Sequence, residues 1–148
     1  MPKRDKIHQI VKKALIQSGW QITDDPYVIS YGERFLFIDL GAEENDNINE
    51  INSRVIGAKQ GEKIIAIEIK EFTTPSPIVE LEQAIGQYTL YQLLLKQVEP
   101  NRELYLAITT KMNEEIFSEP IGQLVIQELN LKLIIIDTNK EKIVQWIN

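Results

Sequence analysis

Asp39, Glu68 and Lys70 are the residues whose types and spacing could do chemistry. Glu68 and Lys70 stand two apart in the stretch KIIAIEIKEF, residues 63–72. A strand period of two puts Ile64, Ala66, Glu68 and Lys70 on one face and Ile65, Ile67 and Ile69 on the other, the isoleucine face being core. A half-buried carboxylate and ammonium are costly unless paired or solvated, so one reading is a salt bridge between neighbouring strands. The other begins with Asp39, which closes the preceding arm in FIDLGAE. If that arm pairs with residues 63–72, Asp39 and Glu68 converge. With the backbone carbonyl of Ile69, the two carboxylates make an oxygen shell for a hard cation such as Mg²⁺, or Mn²⁺. Such a site can lower the pKa of a bound water and neutralise a phosphodiester. Lys70 would add a cation beside the attacking water or the scissile phosphate. Glu43 is a spare carboxylate near Asp39, either a further ligand or a loop cap.

Several elements must position these groups. Residues 5–19 place Ile7, Ile10, Val11, Ala14 and Leu15 on one helical stripe, with Asp5 as N-cap and Gly19 as stop. Residues 20–40 alternate as strands, interrupted at Pro26, with a tight hairpin turn at Gly32-Glu33. The second arm, 34–40, points Phe35, Phe37 and Asp39 to one face. The polar, Asn-rich stretch at about 44–61 reads as a loop insertion. After TTPSP comes the longest helix, 78–98, with Ile78, Leu81, Ile85 and Tyr88 on a stripe and Gly86 read as a close packing point. Residues 102–109 form a strand, 113–129 one or two short helices broken before Pro120, and LKLIIID a buried strand. KIVQWI reads as a final edge strand. The sum is one mixed α/β domain, residues 1–148, around a central sheet.

Composition narrows the chemistry. The 148 residues are 43% hydrophobic and 26% charged, as expected of one globular domain. No cysteine and a single histidine exclude thiolate zinc sites and His-rich metal sites, leaving carboxylates to bind any metal. No run spans a bilayer and the N-terminus lacks a signal-peptide apolar region, so a cytoplasmic location and no membrane partner are expected. A net charge of −6 opposes nonspecific nucleic-acid binding. Lys3, Arg4, Lys6, Lys12 and Lys13 nevertheless crowd the first helix, as a solvated face or a phosphate-facing patch. Trp20 and Trp146 fit core or interface better than base stacking.

The order of an acid at a hairpin arm, then E-x-K on the next strand, then a long helix resembles the PD-(D/E)XK nucleases; Ile38 stands where many members have proline. Gln87-x-x-x-Tyr91, one turn apart on a helix face, looks like the Q-x-x-x-Y element of RecB-type nucleases, where the glutamine faces the active site. Many nucleases of this fold place a glutamate on the first helix; His8 is the nearest polar candidate here. Ordered blocks along nearly the whole chain (HQIVKKALIQSGWQIT, FIDLGAE, IAIEIKEF, ELEQAIGQYTLYQLLL, EPIGQL and VQWI) are similar to the XisH family. That resemblance implies a restriction-endonuclease-like fold, an αβββαβ core followed by a C-terminal helix and strands. It also implies a role as controlling factor for excision of the fdxN element in cyanobacteria, and an XisI-like partner.

Two functions are compatible with these residues. One is Mg²⁺-dependent DNA cleavage or DNA binding, with Asp39 and Glu68 on the metal, Lys70 and Gln87 completing the catalytic set, and His8, Glu43 and Tyr91 behind them. The acidic net charge would then call for a homodimer or a hetero-complex that supplies the basic surface. The other is an inactive adaptor acting through XisI or a recombinase, because a fold shared with enzymes does not establish turnover.

Overall fold

A computed structural model describes residues 3–44, 63–72 and 74–148 of the chain. Chain order is α1 (Lys3–Gln17), β1 (Trp20–Asp24), β2 (Tyr27–Tyr31), β3 (Arg34–Ile38), β4 (Leu40–Glu44), β5 (Ile64–Lys70), α2 (Pro77–Val98) and β6 (Glu103–Thr109). A single turn, α3 (Thr110–Met112), runs into a π turn at Asn113–Phe117, followed by α4 (Pro120–Leu129), β7 (Leu133–Asp137) and β8 (Lys142–Ile147). Six strands form one mixed sheet in the order β1-β4-β5-β6-β7-β8; β2 and β3 form a separate hairpin. β5, β6 and β7 are mutually parallel, and β1, β4 and β8 join antiparallel.

The predicted stripe of α1 is buried in full and packs on one face of the sheet, against Leu40, Ala42, Ile65, Ile67, Tyr105 and Ile134. Each Ile, Leu or Val among them contributes about 1.5–3 kcal/mol on burial. The opposite face is also core, covered by α2, the π turn and the hairpin, so Ala66 is as buried as the isoleucines beside it. The sheet curls around α1: Trp20 on β1 and Trp146 on β8, on opposite edge strands, stack at 5.6 Å. Tyr105 meets Trp146 edge-on. The two half-buried tryptophans thus close the curl.

Three sequence expectations are corrected. The arm at 34–40 is two strands, because Asp39 is a bend at which the chain leaves the hairpin and enters the large sheet. Phe35 and Phe37 therefore face solvent, at 67% and 57% exposed, and do not share a face with a strand-borne Asp39. The buried stripe of α2 is Leu81, Ala84, Tyr88, Tyr91 and Leu95. Ile78 is exposed in the first turn, and Gly86 lies on the outer face, where an added Cβ would meet nothing within 4 Å. The hairpin turn forms as expected, with Gly32 at φ +60° pairing Tyr31 with Arg34. That backbone matches a turn with glycine first. The expected insertion falls outside the described residues except for Glu44, which ends β4.

Candidate active site

β4 runs antiparallel to β5 with Leu40 opposite Ile67, so one step further sets Asp39 opposite Glu68. Side-chain hydrogen bonds lock the junction. Ile69 N donates to Asp39 Oδ2 at 2.8 Å, and Asp39 N donates to Glu68 Oε1 at 3.3 Å. Each acid is thus anchored by the other strand's backbone, and Glu68 is only 4% exposed. In a strand a residue's N–H and C=O point to the same side, so the Ile69 carbonyl also faces Asp39. Asp39, Glu68, Ile69, Lys70, Glu71 and Gln87 line a pocket of about 100 Å³ with Ile7 and His8 of α1. It has room for several waters.

Lys70 reaches toward α2. Its Nζ lies 3.3 Å from Glu80 Oε2 and donates to Gln83 Oε1 at 3.1 Å. Glu80 is fully buried and also accepts from Thr74 N at 2.8 Å. Glu80, Gln83 and Gln87 therefore form a polar row on α2, three and four residues apart. Sequence reasoning picked out Gln87 and missed the other two. Their signal was this acid-and-amide row running beside the apolar stripe.

Tyr91 is 9% exposed, and its hydroxyl donates to the Phe37 carbonyl at 3.4 Å, two residues before Asp39. It fastens the strand that delivers the acid. His8 lines the pocket, but its Nε2 bonds Asp25 Oδ1 at 2.7 Å. Lys12 Nζ holds the other Asp25 oxygen at 2.8 Å. Burial alone would raise the Asp25 pKa; the hydrogen bonds from Lys12 and His8 outweigh it and hold the carboxyl below its ordinary value. Asp25, also missed, thereby latches α1 to the start of the hairpin. Glu43 is not brought to the pocket. It pairs with Ile64 and Gln21, four residues along β4 and thus about 14 Å from Asp39.

The oxygen set suits a hard divalent ion. Among the described residues no group of three or more His, Asp or Glu side chains gathers as a metal site. Two carboxylates and a carbonyl, completed by water or a substrate phosphate, is a Mg²⁺ pattern.

Taken together, these features define a mixed α/β protein whose curled sheet carries a carboxylate pair at the β4–β5 junction. The chain belongs to the XisH family, described as XisH protein, which matches residues 1–144. It is similar to the crystal structure of an fdxN element excision controlling factor protein from Anabaena variabilis. The TM-score is 0.81 at 35% identity, covering 98% of this chain and all of that one. An XisH family protein from Nostoc punctiforme gives a TM-score of 0.80 at 34% identity, covering 97% of this chain and all of that one. No curated protein matches at a significant level. Among the described residues no helix is long and apolar enough to cross a membrane.

Proposed function

We propose that this chain is a controlling factor for excision of a DNA element, and that its β4–β5 pocket hydrolyses phosphodiesters in the manner of restriction-endonuclease-like, PD-(D/E)XK proteins. The observation that carries the reading is the reciprocal anchoring of Asp39 and Glu68, two acids that line one opening with Ile69 between Glu68 and Lys70. Asp39, Glu68 and the Ile69 carbonyl would hold Mg²⁺ or Mn²⁺, and the ion would supply Lewis-acid charge beside a phosphodiester. Lys70 stabilises negative charge developing on the phosphate, and Glu80 with Gln83 fixes its position. Preorganised charge of this kind needs no rearrangement at the moment of reaction. Gln87, on the pocket wall, orients a water or a phosphate oxygen through its amide.

Incubation with supercoiled, linear and single-stranded DNA in Mg²⁺ or Mn²⁺ tests this, with and without an XisI-like partner. Cleavage that disappears in Glu68→Ala and Lys70→Ala supports it. No cleavage under any of these conditions, with excision intact in both variants, would contradict it.

A second reading has its own observation. Val28, Phe35 and Phe37 share the outer face of the β2–β3 hairpin, each between 47% and 67% exposed. Contiguous exposed apolar residues mark protein contacts. On this reading the chain is an inactive adaptor that docks an XisI-like protein or a recombinase through the hairpin. Loss of excision in Phe35→Ser, with an intact pocket, supports that role.

A further inference from the structure

Next to the acidic pocket lies a larger recess of about 350 Å³ that the proposed chemistry does not use. It sits at the carboxyl ends of the parallel strands β5, β6 and β7, where open α/β sheets commonly bind ligands. Ile7 and Glu71 line both spaces, so the two are adjacent. Its apolar lining is Ile7, Ile10 and Phe72, the last also packing on the core under α2; Lys6, Lys111, Thr109 and Asn139 are among its polar lining. Thr109 Oγ1 already accepts from Met112 N, which leaves its hydroxyl proton to donate outward.

Lys6 differs from its neighbours on α1. Lys12 and Lys13 are paired with Asp25 and Glu141, whereas Lys6 lines the recess. A lining that joins apolar side chains, an aromatic residue and two amines, with a volume within the usual ligand-pocket range, matches a single nucleotide. The ring offers a stacking surface, the amines meet flanking phosphates, and the Glu71 carboxylate favours a base edge bearing an amino group. A base stacked and paired in a duplex cannot enter such a recess. We propose that the Lys6–Phe72–Lys111 recess holds an unpaired nucleotide beside the phosphate in the Asp39–Glu68 pocket, so the substrate class is single-stranded or locally unpaired DNA. This rests on the phosphodiester reading of the neighbouring pocket.

Equilibrium binding in chelator, where no cleavage occurs, tests it. The probes are a short 2-aminopurine-labelled single strand and the corresponding duplex. The single strand should bind about tenfold or more tightly than the duplex, with its fluorescence quenched. Lys6→Ala and Lys111→Ala, both surface changes, should each weaken it severalfold and flatten the slope of log affinity against log salt by about 0.7. Phe72→Leu should weaken binding about tenfold and relieve the quenching. Equal binding of the two probes, or lysine variants that bind like the parent, would overturn the inference. Cleavage abolished by Asp39→Asn, with single-strand binding unmoved in the lysine variants, would discard the recess and keep the hydrolytic pocket. The reverse pattern, binding lost in the lysine variants but no cleavage with any metal, would keep the recess and discard hydrolysis.

Discussion

At the scale of residues, Lys70 and the buried Glu80 form an ion pair at 3.3 Å. Removing one member of a buried pair leaves the other uncompensated, at about 3–5 kcal/mol. Lys70→Ala should therefore lower stability as well as any activity, because Glu80 is fully buried. Adding Glu80→Gln keeps an acceptor for Thr74 N and removes the stranded charge. Urea unfolding should show the double variant more stable than Lys70→Ala alone, while cleavage stays absent in both. A double variant no more stable than the single would mean that the pair is not coupled. Asp25 gives a pH-dependent counterpart. Its folded pKa is depressed, so its contribution is complete above the unfolded value near 3.8 and is lost as pH falls through the lower folded value. Asp25→Asn should thus destabilise the protein at pH 7, and the difference from the parent should shrink below about pH 4. Denaturant midpoints across that range check the sign; a difference constant with pH would remove Asp25 from the latch.

At the scale of elements, two glycines in helices make opposite predictions. A Cβ at Gly122 of α4 would lie 2.2 Å from the Ile116 carbonyl oxygen and 2.4 Å from Phe117 Cα. These are backbone atoms of the π turn and cannot swing aside. Gly122→Ala should cost about 1–3 kcal/mol, as overpacking does, or more if the turn must open. Gly86→Ala meets open space on α2 and should be neutral or stabilising by up to about 1 kcal/mol. Chemical denaturation of the two variants side by side reads the contrast directly. These elements also mark what could be read from sequence. Helix α1 and strands β5 and β7 were legible because their apolar periods match what they bury. The arm at 34–40 was not, because Phe35 and Phe37 alternate like core residues yet face solvent. The switch of sheets at Asp39 depends on hydrogen bonds to a strand 30 residues away. On α2 the expected Leu81 and Tyr88 are buried, but the first member of the stripe fails for a similar reason: Ile78 is apolar yet sits in the exposed first turn, and the buried member there is Glu80. Asp39, Glu68 and Lys70 could be named as a set from their order along the chain. Asp25 could not, since its role exists only once the hairpin is packed; Glu80 and Gln83 left only a polar row beside the α2 stripe, which gains its role once α2 meets Lys70.

At the scale of the whole molecule, the architecture gathers its chemistry at one end. The sheet wraps α1 and is closed by the Trp20–Trp146 stack, and the carboxyl ends of the three parallel strands open beside the acidic pocket. Glu43, at the other end of β4, and the Tyr27–Glu99–Arg102 cluster are remote from that opening. Tyr27 donates to Glu99 at 2.5 Å, and Arg102 Nη1 donates to the Ile65 carbonyl at 2.8 Å. That cluster pins the hairpin to the end of α2, so the bend that carries Asp39 is held from both sides, by Tyr91 near the site and by Tyr27 away from it. The net charge of −6 is carried mostly away from the recess, whose charged lining is Lys6, Lys111 and Glu71. The pairing of Asp39 with Glu68 is what the functional account rests on, and a crystal soaked in Mn²⁺ tests it most directly. An anomalous-scattering peak is expected at about 2.2 Å from carboxylate oxygens of both residues, absent in Asp39→Asn. Saturating Mn²⁺ with no peak between those two side chains, or a peak unchanged in Asp39→Asn, would contradict it.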